Sequence, residues 1–267
     1  MNDVTARPIA ERVRTVLARG ASGTVEAGIL RRPLRSARVR DDGVVVLVVD
    51  VSGMSREVGD GARMAAVGAS ATVEIPDAVC TGRCRKSAPR PSFALDGRHV
   101  ARPEGCDDDC SVVRGIVTLS GIVTASSDAR RRRLVAADGG PMGAGGDLGS
   151  IRLNELQPLE ITYLGAEGVD MVSRTDLAAA AVDPIGVDEQ VWLRRIGADD
   201  GFAARLVLRS GRQIAGTDPR VIGIDGHGLD LAVDASGGGF RDIIRVPFSQ
   251  VCRDTESLRH ELALLGA

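Results

Sequence analysis

Four of the chain's five cysteines form two C-x3-C pairs, CTGRC (80–84) and CDDDC (106–110), separated by 21 residues. Cys80, Cys84, Cys106 and Cys110 supply enough thiolates to close one tetrahedral zinc site. Asp107, Asp108 and Asp109 add negative potential that attracts a cation, while also raising thiol pKa values. A three-residue spacer turns less tightly than C-x2-C, and so aims fewer backbone N–H groups at sulfur. Three readings stay open: a structural metal, redox-active or disulfide-forming thiols, and unconnected loop cysteines. In the metal reading four thiolates saturate the ion, leave no open coordination position, and staple the chain rather than catalyse.

Other reactive residues are sparse. The histidines are His99, His227 and His260, and none has an HxxxH or HExxH partner. Hydrolytic zinc chemistry, which needs two or three protein ligands beside an open position, gains little support from them. No GxSxG elbow accompanies a possible Ser-His-Asp arrangement. Lys86, the only lysine, is the one candidate for Schiff-base chemistry. The glycine-rich stretch GGPMGAGGDLG (139–149) lacks GxxxxGK[ST] and follows a predicted helix, so it reads as a connector. Arg130 to Arg133 point all round a predicted helix without interleaved aromatics, which favours a solvated face over nucleic-acid stacking.

The 267 residues suffice for two ordinary domains or one large one, and 43% of them are hydrophobic. Aromatics make up only 2%, so any core is aliphatic. A formal charge of −2 gives no overall attraction to nucleic acid or anionic membrane. The charged N-terminus lacks a signal-peptide core, and the run Val44 to Val49 is too short to span a bilayer. A soluble cytoplasmic protein is expected. Reducing conditions there, with Cys252 as an odd fifth cysteine, argue against stable disulfides.

The elements that must position these residues change character along the chain. Ile9, Val13, Val16 and Leu17 at helical spacing predict an opening amphipathic helix. Thr24–Leu30, Ser36–Val39, Val44–Val51, Ser70–Ile75 and Val112–Thr124 predict strands, with an Asp-Asp-Gly hairpin at 41–43. Helices are predicted over 54–69 and 126–137, and a hairpin joins Leu159–Leu164 to Val169–Val172. The order suits a small antiparallel barrel better than βαβ units. After VDPIG (182–186), taken as a boundary, helices at 188–196 and 202–208 precede the hairpin VIGIDGHGLDLAV, a strand at 243–246 and a helix capped by Asp254.

Two stretches resemble a known family: the hairpin Gly223–Leu231 and the strand end Arg245–Phe248, followed by the closing helix. Together they look like the small C-terminal domain of haem-utilisation proteins built on the flavin-binding, pyridoxamine-phosphate-oxidase-like split barrel. A weaker match rests on the opening helix, the strands around Arg38 to Val49, and IRLNELQPLEITYL (151–164). Where the family's domain commonly carries N-x-D-H, this chain has RIGADDG (195–201).

The resemblance implies an α+β protein: an N-terminal antiparallel split β-barrel over residues 1–175, and a smaller α+β domain over 183–267. It implies a cysteine-bearing insertion at 77–110, a homodimer, and FMN or haem at the barrel. Arg38, Ser55 and Arg56 take the places of side chains that hold flavin phosphate. The function implied is binding of a flavin, a haem or a partner enzyme without clear catalysis. The alternatives are a flavin-dependent oxidoreductase or haem-degrading enzyme, and an interaction module stapled by structural zinc.

Overall fold

The computed structural model describes residues 8–19, 23–50, 68–80, 90–91, 101–102, 111–126, 151–165, 168–199, 201–209, 219–234 and 241–266. Helix α1 (Ile9–Ala18) is followed by strands β1 (Gly23–Ala27), β2 (Leu30–Val39), β3 (Val45–Asp50) and β4 (Ala69–Cys80). A short pair, β5 (Arg90–Pro91) and β6 (Ala101–Arg102), precedes the long strands β7 (Ser111–Ala125) and β8 (Ile151–Gly165), and then β9 (Gly168–Met171). Helices α2 (Arg174–Ala179), α3 (Pro184–Val187), α4 (Glu189–Ile196) and α5 (Phe202–Arg209) lead to β10 (Arg220–Asp225), β11 (Gly228–Asp234), β12 (Arg241–Pro247) and α6 (Thr255–Leu265).

The first sheet runs β3-β2-β1-β4-β7-β8, and β3 also pairs with β8, so six antiparallel strands close a barrel; β9 extends β8. Strand β8 is long enough to bond β3 with its first half and β9 with its last residues. Period-two alternation fills the interior: Val45, Leu47 and Val49 of β3 meet Val73, Ile75, Val117, Leu119 and Ile161. Val13, Val16 and Leu17 of α1 join the same core, as helical spacing requires. Gly43, at φ 75°, supplies the left-handed residue of the Asp-Asp-Gly turn.

The second unit is a three-stranded antiparallel meander, β10-β11-β12, under α4, α5 and α6. Trp192, Leu193, Phe202, Leu206, Leu229, Leu231, Leu258 and Leu262 form its core, which also takes in Val79 of β4 and half-buried Val112 of β7. Asp254 caps α6 in a capping box with Ser257. The architecture is therefore α+β, a barrel followed by a smaller helix-covered sheet.

Two observations bear on the expected boundaries. The insertion was placed from Asp77, yet β4 continues to Cys80 and pairs with β7 as far as Ser111. Asp77 keeps the inward alternation of Val73 and Ile75, because arginines neutralise it there. The boundary VDPIG is helical at its end, since Asp183 accepts from the backbone N–H of Ile185 and buries that residue as α3 opens. The predicted helices over 54–69 and 126–137 lie almost wholly outside the described residues. Among the described residues no helix is long and apolar enough to cross a membrane.

Candidate functional site

The described residues bring together one dense cluster of ionisable groups, at the junction of α1, the barrel and the second core. Its barrel side is made by a β-bulge. Asp77 faces Gly115 and Ala78 faces Val113, so Arg114 is the extra residue of β7, aimed beside Asp77. Arg114 Nη2 donates to Asp77 Oδ1 at 2.8 Å. Its Nη1 and Nη2 also donate to the two Glu189 oxygens at 2.5 and 2.9 Å, a bidentate grip across 75 residues of sequence. The side chains of Asp77, Glu189 and Arg114 are 0, 1 and 4% exposed.

Helix α1 adds two cations. Arg12 donates to Asp77 Oδ2 through Nε at 3.2 Å and Nη2 at 3.1 Å, and its guanidinium lies 4.8 Å from the Tyr163 ring centroid. Arg19 Nη1 reaches Glu189 at 2.5 Å and Asp77 at 3.3 Å. Tyr163, the only tyrosine, donates its hydroxyl to Asp77 at 3.1 Å. From the second unit, Asp230 lies 3.6 Å from Arg114 and accepts from Arg245 at 2.8 Å, while Arg245 also pairs with Asp225. Four arginines thus face four carboxylates, and the junction is electrically neutral.

Two glycines shape this space. A Cβ on Gly115 would stand 2.4 Å from the Tyr163 ring and hydroxyl. One on Gly223 would stand 2.2 Å from Arg114 Nη1 and 2.6 Å from Asp230 Oδ2, so this glycine of the GIDGHG hairpin admits the guanidinium. A second bulge, skipping Ile222, sets Gly223 opposite Asp230.

The electrostatics follow from burial. Desolvation alone would raise the Asp77 carboxyl, but Arg114, then Arg19 and Arg12, outweigh it and hold the group far below the ordinary carboxylate range. Desolvation, then the charge of Asp77, pushes the Tyr163 phenol upward. Burial works against the charged Arg114, yet Asp77, Glu189 and Asp230 hold it firmly protonated. Every perturbed group here is explained by another member of the cluster. The chemistry the arrangement can do is to join elements: its strongest donors and acceptors bind each other.

A second polar seam runs beside it. Glu11 accepts from Arg253 at 3.2 and 3.3 Å and contacts His227 Nε2 at 3.0 Å. Thr15 Oγ1 accepts from the backbone N–H of Asp183, whose carboxylate accepts from the N–H of Gly226 at 2.8 Å. Arg14 donates to the carbonyls of Leu177 and Ala178 at the end of α2. One ten-residue helix therefore ties the barrel, the connecting helices and the second sheet.

The expected site residues are only partly described. Arg38 lies on β2 opposite Val46, half-buried and on the face away from the interior that Ala37 and Leu47 line. Ser55 and Arg56 lie outside the described residues, as do Cys84, Cys106 and Cys110. Cys80 ends β4, opposite Ser111. Among the described residues no group of His, Cys, Asp and Glu is arranged to hold a metal ion. As candidate haem ligands, His227 is engaged by Glu11 and His260 is exposed on α6, while His99 lies outside the described residues. Buried Cys252 has its thiol pushed up to about 11 by burial and then by Glu261, which makes it an inert core residue rather than a ligand in waiting.

The charge network was missed in the sequence. Its signal was there in single charged residues within apolar stretches, Arg114 in VVRGIV and Asp230 in GLDLAV.

Neither a known family nor a curated protein sequence matches the chain. Among solved structures, the chain is similar to a haem-binding protein from Mycobacterium smegmatis, at 19% identity and a TM-score of 0.54, with 98% of this chain and 97% of that one covered. A protein of unknown function from Agrobacterium tumefaciens is aligned over 99% of this chain and 98% of its own, at 17% identity and a TM-score of 0.33. The first of these establishes the barrel with its appended α+β unit as a shared fold.

Proposed function

We propose that this chain is a haem-binding split-barrel protein that handles its ligand without catalysing a reaction on it. The observation that carries the reading is the end-to-end likeness in fold to a haem-binding protein, which takes in both the barrel and the second unit. The arrangement of the ionisable groups adds support on the question of catalysis. Asp77, Arg114 and Tyr163, three of the strongly perturbed groups of the junction, are buried against one another, which supports a structural role for them.

The test is the visible spectrum of protein expressed with haem available and freshly purified. A Soret band that co-elutes with the chain is expected. A flavin spectrum would return the protein to the oxidoreductase reading, and a colourless protein that also fails to take up added haemin would refute both.

A further inference from the structure

The two hydrophobic cores are separate clusters; Val79 of β4 and Val112 of β7 reach from the barrel strands into the second, and beside them a cluster of charged side chains joins the two units. Asp77, Arg114, Arg12 and Arg19 belong to the barrel side, and Glu189, Asp230, Asp225 and Arg245 to the other. Taken alone, the barrel side carries three positive charges and one negative, and the second side three negative and one positive. Each side has a net charge of two units, opposite in sign, and the contact cancels both.

We infer that this network is a charge-neutral lock: it fixes the second unit on the barrel in one orientation and makes the two cores unfold as a single body. Geometry supports a lock over a sliding, apolar contact. Glu189 receives Arg114 side-on through both oxygens, receives Arg19 as well, and accepts from the backbone N–H of Ile224 at 2.8 Å. A shift of either unit by one ångström would break several charge-assisted bonds while leaving their groups out of water. Apolar surfaces lack this directionality. The position is set on both sides by β-bulges, one presenting Arg114 and one presenting Gly223 to make room for it. The contribution of such buried pairs is to specificity of arrangement more than to net stability.

The chain carries its own probe, because Trp192 is the only tryptophan and sits in the second core. Urea unfolding of the full chain would be followed by Trp192 fluorescence, and in parallel by hydrogen exchange of peptides from β3 and β7 in the barrel. In the wild type the two midpoints are expected to coincide. Glu189→Gln keeps the shape and the Ile224 contact but removes the charge. It is expected to lower the Trp192 midpoint by about 1 M urea or more and to separate it from the barrel midpoint. Arg114→Met should do the same more strongly; if that variant does not fold, Glu189→Gln decides. Separate midpoints in the wild type, or a Glu189→Gln variant whose midpoints still coincide near the wild-type value, would overturn the lock.

Discussion

Asp77 is the residue on which the account turns at the smallest scale. A carboxylate at an inward barrel position is tolerated because Arg12, Arg19, Arg114 and Tyr163 all donate to it. Asp77→Asn removes its charge and leaves those cations buried, so a loss of about 3–5 kcal/mol at neutral pH is expected. The pH dependence has a definite sign. The folded carboxyl lies below its unfolded value of about 3.9, so its stabilisation is complete above that value and is lost as pH falls further. Urea midpoints measured from pH 6 to pH 2 should therefore run parallel for the wild type and Asp77→Asn above about pH 4, and fall more steeply for the wild type below it, with the curves drawing together in acid. Curves that stay parallel throughout would show that Asp77 does not titrate as described.

Among elements, what was legible in the sequence was what is local. The spacing of Val13, Val16 and Leu17 marks the buried face of α1, Asp41-Asp42-Gly43 marks the β2–β3 turn, and Asp254 marks the start of α6. The network escaped notice because its partners are distant in the chain. Arg114 is 37 residues from Asp77 and 75 from Glu189, and Tyr163 is 86 from Asp77. Only barrel closure and two bulges bring them together, and neither follows from periodicity. The hairpin β10–β11 illustrates the difference. Its GIDGHG signature reads as a turn, yet Gly223 lies before the turn and serves to admit Arg114. Gly223→Ala should destabilise by about 2–4 kcal/mol, well beyond the usual cost of a strand substitution, and thermal melts would show it. A change under about 0.5 kcal/mol would mean that the guanidinium does not sit where described.

For the whole molecule, the barrel and second unit share a fold with a haem-binding protein, and the barrel leaves apolar strand surface exposed. Leu164, Val169 and Met171 are 48, 64 and 73% exposed on β8 and the free edge β9. Apolar side chains along an open edge are normally covered, and we propose that a second copy covers them in a symmetric dimer formed by residues before Ser173. Sedimentation velocity over a range of concentrations should give a dimer, and Val169→Lys with Met171→Lys should shift it to monomer. A wild-type monomer at all concentrations would count against the dimer without touching the haem reading.

The central claim, haem binding, is tested most directly by titrating haemin into the ligand-free protein while recording both the Soret absorbance and the thermal midpoint. A specific site predicts saturation at a fixed ratio to the chain, a shifted Soret band, and a midpoint that rises with haemin concentration because ligand binds the folded state. Absorbance that grows without saturation, with an unchanged or falling midpoint, would contradict it.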